Sequence, residues 1–244
     1  MDFIYAIILG IVQGLTEFLP VSSSGHLAVI GSFLDVAQPG VLFETMLHMG
    51  TALAILWFFR EKILKLKIND LVLIVVGSIP AALIGLLFAD QIEGLFSILK
   101  LVGIAFLFSS YLNFQTDKHN GRREEMDKLD AIFIGVMQAV AILPGVSRSG
   151  ATIFAGTKMN LSKTRAAEFS FLLSVPAILG ANFVELLRHG DGDFSLILGI
   201  VGLTAAFLSG LFAINFLLRM LTEQKLKYFS YYLLVAGMLT ILFL

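Results

Sequence analysis

The chain has 244 residues, of which 57% are hydrophobic and only 14% charged, with a formal net charge of -1. A mean hydropathy of +0.89 and a charged fraction well below the roughly 25% of soluble domains exclude an ordinary soluble globule and turn most of the surface toward lipid. The basic residues sit in short loops between apolar runs, which excludes a nucleic-acid stripe, and the lack of cysteine excludes disulfides, thiolate metal clusters and a thiol nucleophile.

At the start, Met1-Asp2-Phe3-Ile4-Tyr5 lacks the basic region and small-residue cleavage pattern of a secretory signal, so the segment is expected to be mature structure. The first apolar stretch, 3–33, is interrupted by Leu19-Pro20-Val21-Ser22-Ser23-Ser24-Gly25. Proline removes a backbone donor and clashes with the preceding turn, so the stretch reads as two half-helices joined at membrane depth, a re-entrant hairpin. Runs at 41–59, 71–89 and 95–114 follow, each near the ~20 residues that cross a hydrocarbon core as a helix. A second broken stretch, 130–157, is interrupted by Leu143-Pro144-Gly145-Val146-Ser147-Arg148-Ser149-Gly150, and further runs lie at 166–187, 194–218 and 228–244. The expected fold is an all-α polytopic membrane protein, one integral membrane domain over 1–244, with six transmembrane helices plus two re-entrant hairpins.

The two broken stretches match at one constant offset. Ala6, Ile7, Gly10, Gln13, Val21, Ser22, Ser24 and Gly25 align with Ala131, Ile132, Gly135, Gln138, Val146, Ser147, Ser149 and Gly150. Internal repeats are therefore expected over approximately 1–115 and 126–244, each with one hairpin and three spans. An odd number of crossings makes the equivalent hairpins enter from opposite sides, so the repeats have inverted topology. Such repeats commonly build a polar site near the bilayer midplane, where half-helix N-termini offer positive dipole ends to an anion.

Basic clusters at Arg60, Lys62, Lys65 and Lys67, at Lys118, Arg122, Arg123 and Lys128, at Lys158, Lys163 and Arg165, and at Arg219, Lys225 and Lys227 fall on one face of this topology. The opposite connections carry Asp35, Asp90, Glu93, Asp191 and Asp193, with Arg188 as the main exception. The positive-inside rule then makes the basic face cytoplasmic and puts the first hairpin and both termini outside.

Within the hairpins, Gln13 and Glu17 are spaced i,i+4 and share a helical face directed at the Pro20 break. A carboxylate at the centre of a membrane helix costs roughly 2.5–3.5 kcal/mol on insertion scales, so Glu17 is expected to face a polar cavity or a partner. Ser22, Ser23, Ser24 and His26 follow; singly, such serines more often satisfy freed backbone groups, and His26 alone suits an interhelical hydrogen bond. The second hairpin supplies Ser147, Arg148, Ser149 and Thr152, with Arg148 the only cation between Ala131 and Thr157. Its guanidinium can fork two phosphate oxygens; the bland alternative is a permanent ion pair with Glu17. Together the hairpins offer helix-start amides, hydroxyls, one guanidinium, one carboxylate and one imidazole, which suits phosphoryl transfer, a chemistry of positioning and charge neutralisation.

The run Gln13-Gly14-Leu15-Thr16-Glu17-Phe18-Leu19-Pro20-Val21-Ser22-Ser23-Ser24-Gly25-His26 and the run Pro144-Gly145-Val146-Ser147-Arg148-Ser149-Gly150-Ala151-Thr152 resemble the two signatures of the undecaprenyl-diphosphate phosphatase family. The resemblance extends over essentially the whole chain, including Glu168-Phe169-Ser170-Phe171-Leu172-Leu173-Ser174-Val175-Pro176. It implies release of inorganic phosphate from the C55 lipid diphosphate, recycling the cell-wall carrier and conferring bacitracin tolerance, with a divalent cation, Mg²⁺ or Ca²⁺, assisting. By motif position it implies Glu17 and His26 as the acid/base or metal-handling pair, Arg148 as phosphate clamp, and Ser23 as nucleophile or orienting hydroxyl. Gln13, Ser22, Ser24, Ser147, Ser149 and Thr152 would bind substrate. The family pattern allows Glu or Gln at position 13, so this chain has one carboxylate fewer than a Glu-containing relative, and Glu17 with the substrate phosphates is the implied metal set. The implied partners are a polyprenyl diphosphate lipid, the bilayer and, as a candidate, a second copy of the chain; the implied location is the bacterial inner membrane, with the site open to the outer, periplasmic side. Two rivals are a transporter or flippase of the same lipid, suggested by the inverted repeats and broken helices, and a structural membrane protein whose hairpins only pack.

Overall fold

The computed structural model describes residues 3–34, 40–189 and 195–244. The expected outer-loop residues Asp35, Asp191 and Asp193 lie outside them. Among the described residues the fold is all helical: the one extended contact is an isolated bridge between Arg123 and Leu161.

Helix α1 (Phe3–Phe18) stops where Pro20 interrupts the apolar sequence, and α2 (Ser23–Leu34) restarts after Ser22, whose φ is +71°. Helices α3 (Val41–Phe58), the short α4 (Arg60–Ile63), α5 (Ile68–Leu87), the short α6 (Ala89–Leu95) and α7 (Leu99–Lys118) complete the first half. The second half holds α8 (Lys128–Val140), a break with Gly145 at φ +89°, α9 (Arg148–Lys158), then α10 (Lys163–His189), α11 (Leu196–Thr222) and α12 (Lys227–Phe243). A helix thus stands at each of the six expected apolar runs and a broken pair at each expected interruption.

Four described helices, α3, α5, α10 and α11, are long and apolar enough to cross a membrane alone, and α6 with α7 adds a fifth if that pair, bent by 95°, forms one span. Helix α12 is apolar but has 17 residues. Only 17% of the most apolar stretch of α5 is buried; Val75, Leu83, Leu86 and Leu87 point outward. A surface apolar on this scale matches acyl chains rather than water.

Lipid tails are as apolar as leucine, so helices here must associate by close fit. Accordingly α1 packs on α11 and α8 on α5, while α3 packs on α10 and α11, α5 on α10, and α7 on α12. The tightest approaches are glycine on backbone. A Cβ at Gly10 would collide with the carbonyl of Gly202, and one at Gly135 with the carbonyl of Gly77. Gly10 and Gly135 are separated by the same offset as Gly77 and Gly202, so the two contacts are equivalent.

The second hairpin is fastened at its base. Asp127 and Asp130 form a capping box at the start of α8, and the fully buried Asp130 carboxylate accepts from Arg123 Nη2 at 2.5 Å. Arg123 also donates to the Met159 carbonyl at 2.9 Å, while its backbone exchanges hydrogen bonds with Asn160 and Ser162. The turn after α9 is thereby clipped to the segment that precedes α8.

Candidate active site

Breaking a helix inside an apolar protein frees carbonyls that water cannot reach, so side chains must take them. Asn113 of α7 donates to the Pro20 carbonyl at 2.7 Å, and Ser149 of the second hairpin donates to the Leu19 carbonyl at 3.3 Å. On the other side, Ser109 of α7 donates to the Gly145 carbonyl at 3.3 Å and accepts from the Ser147 amide at 2.9 Å. Helix α7 therefore pins both breaks, and Ser149 ties one hairpin to the other.

The half-helices that leave the breaks start alike. Ser147 Oγ caps α9 by accepting from the Gly150 amide at 3.1 Å, and Ser22 Oγ accepts from the Gly25 amide at 3.3 Å. The hydroxyls of Ser22 and Ser24 are 3.4 Å apart, and those of Ser147 and Ser149 are 3.3 Å apart. Four of the serines expected to bind phosphate are thus engaged in caps and serine pairs. Thr152 is turned away from the crossing: it is fully buried, and its hydroxyl meets Ser170 Oγ at 2.5 Å and the Arg148 carbonyl at 2.8 Å.

Glu17 occupies the centre. Gln13 Nε2 donates to Glu17 Oε2 at 3.0 Å and Ser23 Oγ donates to the same oxygen at 2.8 Å. Arg148 Nη2 forms a hydrogen-bonded ion pair with Glu17 Oε1. The carboxylate only accepts, which fixes the Gln13 amide with its NH₂ toward Glu17 and leaves Gln13 Oε1 buried without a partner. Arg148 Nη1 is likewise buried and unpartnered. Orphaned buried polar atoms of this kind mark places where a ligand, an ion or a water belongs.

His26 is held apart from this cluster. Its Nδ1 lies 2.7 Å from the Ser22 carbonyl and its Nε2 lies 2.6 Å from the Tyr232 hydroxyl on α12. Since the carbonyl can only accept, Nδ1 carries the proton in the neutral ring and Nε2 accepts from Tyr232. The imidazole is stacked on Tyr232, centroids 5.6 Å apart, and leans on Phe106 at 5.2 Å. The structure brings Gln13, Glu17, Ser23 and Arg148 into one cluster and sets His26 beside it against α12.

Sequence reasoning missed Asn113, Ser109, Tyr232 and His48. Asn113 and Ser109 are i,i+4 polar residues inside an apolar run, a signal that was available; Tyr232 resembles an ordinary membrane-interface tyrosine. His48, on α3, lies within electrostatic range of the Glu17 carboxylate, with its Nδ1 2.9 Å from the Glu44 carbonyl.

For a divalent cation, the described residues contain no cluster of three or more His, Asp or Glu side chains able to hold one. The donor set nevertheless accommodates an ion completed by substrate oxygens: Gln13 Oε1 is a buried acceptor without a donor, next to the carboxylate of Glu17.

These features define a helical membrane protein with a carboxylate, hydroxyl and guanidinium site between two broken helices. The family model described as "Bacitracin resistance protein BacA" matches residues 6–239, and the chain belongs to that family. It is similar to the undecaprenyl-diphosphatase of Alkaliphilus metalliredigens, 42% identical over 98% of this chain and 97% of the relative. It is also similar to the undecaprenyl-diphosphatases of Carboxydothermus hydrogenoformans, 43% identical over 97% and 95%, and of Methanobrevibacter smithii, 40% identical over 98% and 96%.

Proposed function

We propose that this protein is a membrane phosphatase that hydrolyses undecaprenyl diphosphate to undecaprenyl phosphate and inorganic phosphate. Near-full-length identity to relatives named undecaprenyl-diphosphatase supports the substrate. The observation that carries the chemistry is the Glu17 carboxylate receiving both Ser23 Oγ and Arg148. A lipid carrier would need only the guanidinium and the helix starts; a carboxylate hydrogen-bonded to a hydroxyl is what a hydrolase needs, and it disfavours the flippase reading.

In the mechanism the terminal phosphate draws Arg148 from Glu17, using Nη1, which has no partner in the resting site. The freed carboxylate accepts the proton of the attacking oxygen, either Ser23 Oγ or a water held at that position. Attack on the terminal phosphorus breaks its bond to the bridging oxygen, which leaves on the lipid monophosphate. If Ser23 attacks, water then hydrolyses the phosphoserine. His26, oriented by the Ser22 carbonyl through its Nδ1–H, takes up the proton released from the attacking oxygen at Nε2, in place of the Tyr232 hydrogen bond, and passes it to the leaving or product oxygen. Ser22, Ser24, Ser147 and Ser149 orient the half-helix amides toward the anion, and Thr152 supports the turn that carries Arg148. Mg²⁺ or Ca²⁺, when bound, neutralises phosphate charge; Gln13 and Glu17 would hold it together with substrate oxygens.

The architecture proposed around this site is six spans, α3, α5, α7, α10, α11 and α12, with α1/α2 and α8/α9 as re-entrant hairpins in inverted repeats 1–115 and 126–244. The exchange of partners supports it: α1 packs on α11 and α8 on α5, through the equivalent Gly10–Gly202 and Gly135–Gly77 contacts. The distribution of basic loops supports insertion in the bacterial inner membrane with the site open to the periplasmic side. All the groups named come from one chain, so a homodimer is a partner the chemistry does not require.

The test is phosphate release from undecaprenyl diphosphate by purified wild-type and Glu17→Ala protein, with and without chelator. Wild-type turnover abolished by the substitution is expected; a wild-type protein that releases no phosphate overturns the reading.

A further inference from the structure

A second polar feature lies outside the hairpin crossing. Between α4 with the link that follows it and the starts of α5 and α10 is a cavity of about 430 Å³ lined by Glu61, Lys62, Lys65, Leu66, Asp70 and Arg165. Two of its cations are held by acids: Lys62 is paired with Glu168, and Arg165 Nη2 reaches Asp70 Oδ1 at 3.4 Å. Acids and bases balance in number, Glu61, Asp70 and Glu168 against Lys62, Lys65 and Arg165, but not in contact. Lys65 is exposed and stands outside the ion pairs of the described residues, and Arg165 Nε is buried with no hydrogen-bond partner. Arg165, with one long contact and one orphaned N–H, is short of acceptors.

The sequence around the lining residues is apolar and exposed. Leu64 is 86% exposed, Ile68 82% and Trp57 58%, and Arg60 lies over the Trp57 ring at 5.0 Å. Exposed aliphatic side chains alternating with Arg60, Lys65 and Lys67, beside an exposed tryptophan, form the pattern of a segment lying where headgroups meet acyl chains. A free anion would have no use for Leu64 and Ile68. A lipid uses both parts, with its chain along the exposed Leu64 and Ile68 and its phosphate over the cations.

We propose that this cavity binds the headgroup of an anionic glycerophospholipid. The phosphodiester takes Lys65 and Arg165, and a headgroup hydroxyl, as on glycerol, donates to Glu61. The acids lining the cavity select against a multiply charged free phosphate, because Glu61 and Asp70 would repel the extra charge, whereas a single phosphodiester charge leaves them room to accept from hydroxyls. The site rests on the membrane-spanning fold and is independent of the phosphatase reading.

Trp57 is the chain's only tryptophan, which supplies the measurement. Full-length protein in neutral detergent is titrated with dansyl-labelled phosphatidylglycerol while energy transfer from Trp57 is recorded. Unlabelled phosphatidylglycerol, phosphatidylcholine and inorganic phosphate are then added as competitors. Phosphatidylglycerol is expected to displace the probe at lower concentration than phosphatidylcholine, and inorganic phosphate not to displace it. Lys65→Glu, which changes the charge by two units at about 1 kcal/mol each, is expected to weaken probe binding about thirtyfold, with an unchanged melting temperature and unchanged phosphate release from undecaprenyl diphosphate. Arg165→Lys, which keeps the charge but removes Nε–H, should weaken it less. Equal displacement by the two lipids, displacement by inorganic phosphate, or unaltered transfer in Lys65→Glu would overturn the proposal.

Discussion

Ser23 and Arg148 stand at the constant offset that relates the two broken stretches of sequence, yet both donate to the same carboxylate, Glu17. That position carries a hydroxyl in one stretch and a guanidinium in the other. The pairing partner of Gln13, Glu17, has likewise become Ile142 in the second half, so a single carboxylate serves both hairpins.

Arg148→Ala should lower kcat/KM for undecaprenyl diphosphate by about a hundredfold to a thousandfold, the usual loss when one charge-stabilising donor is removed. Arg148→Lys should recover only part of it, because an ammonium cannot reproduce the planar fork. Steady-state phosphate release by both variants measures this, and an Arg148→Ala enzyme with wild-type turnover would restrict the residue to packing.

Ser23→Ala should depress kcat at least tenfold, either by removing the attacking oxygen or by disordering the water at its position. Acid quenching with substrate labelled at the terminal phosphate separates the two. Label retained on residue 23 assigns the covalent route, and an unlabelled protein assigns direct attack by water.

Tyr232→Phe deletes the hydroxyl 2.6 Å from His26 Nε2 while keeping the stacked ring. A fall in kcat of about tenfold, at the low end for loss of acid/base orientation, is expected with little change in KM. A variant equal to wild type in both constants would remove His26 orientation from the mechanism.

Gln13→Glu adds a second carboxylate beside Glu17, and oxygen-ligand charge tunes affinity for hard cations. Half-maximal activation should then require about tenfold less Mg²⁺. Titration of metal-stripped wild-type and variant enzyme reads this directly, and superimposed curves would place the ion away from residue 13.

Gly10→Leu and Gly135→Leu each drive a side chain into an opposing glycine carbonyl. Each should destabilise the fold by about 1–3 kcal/mol or more, as overpacking does, and lower the melting temperature in detergent. A neutral result at one position with a large one at the other would break the equivalence of the two helix contacts.

Much of this was legible in the sequence because apolar run length, proline breaks and the constant offset are local signals. The helices begin or end a few residues from the runs for a physical reason: α7 continues through Gln115-Thr116-Asp117-Lys118, polar residues that helix well but carry no hydropathy signal. The Glu17–Arg148 meeting was inferable, since two buried opposite charges seek each other. The hydroxyls were harder. Ser22, Ser147 and Thr152, which read as phosphate ligands, have the further tasks of capping, pairing and bracing, which the sequence did not announce. Asn113 and Tyr232 act through contacts spanning 93 and 206 residues of sequence, and no local pattern announces such a partner.

The hydrogen bonds that cross between the hairpins carry a further consequence. Ser149 holds the Leu19 carbonyl and Arg148 holds Glu17, so neither half of the chain contains the whole of the proposed site. Two fragments produced separately, divided in the connection that follows α7, should each be inert and should regain activity only by complementation in a shared bilayer.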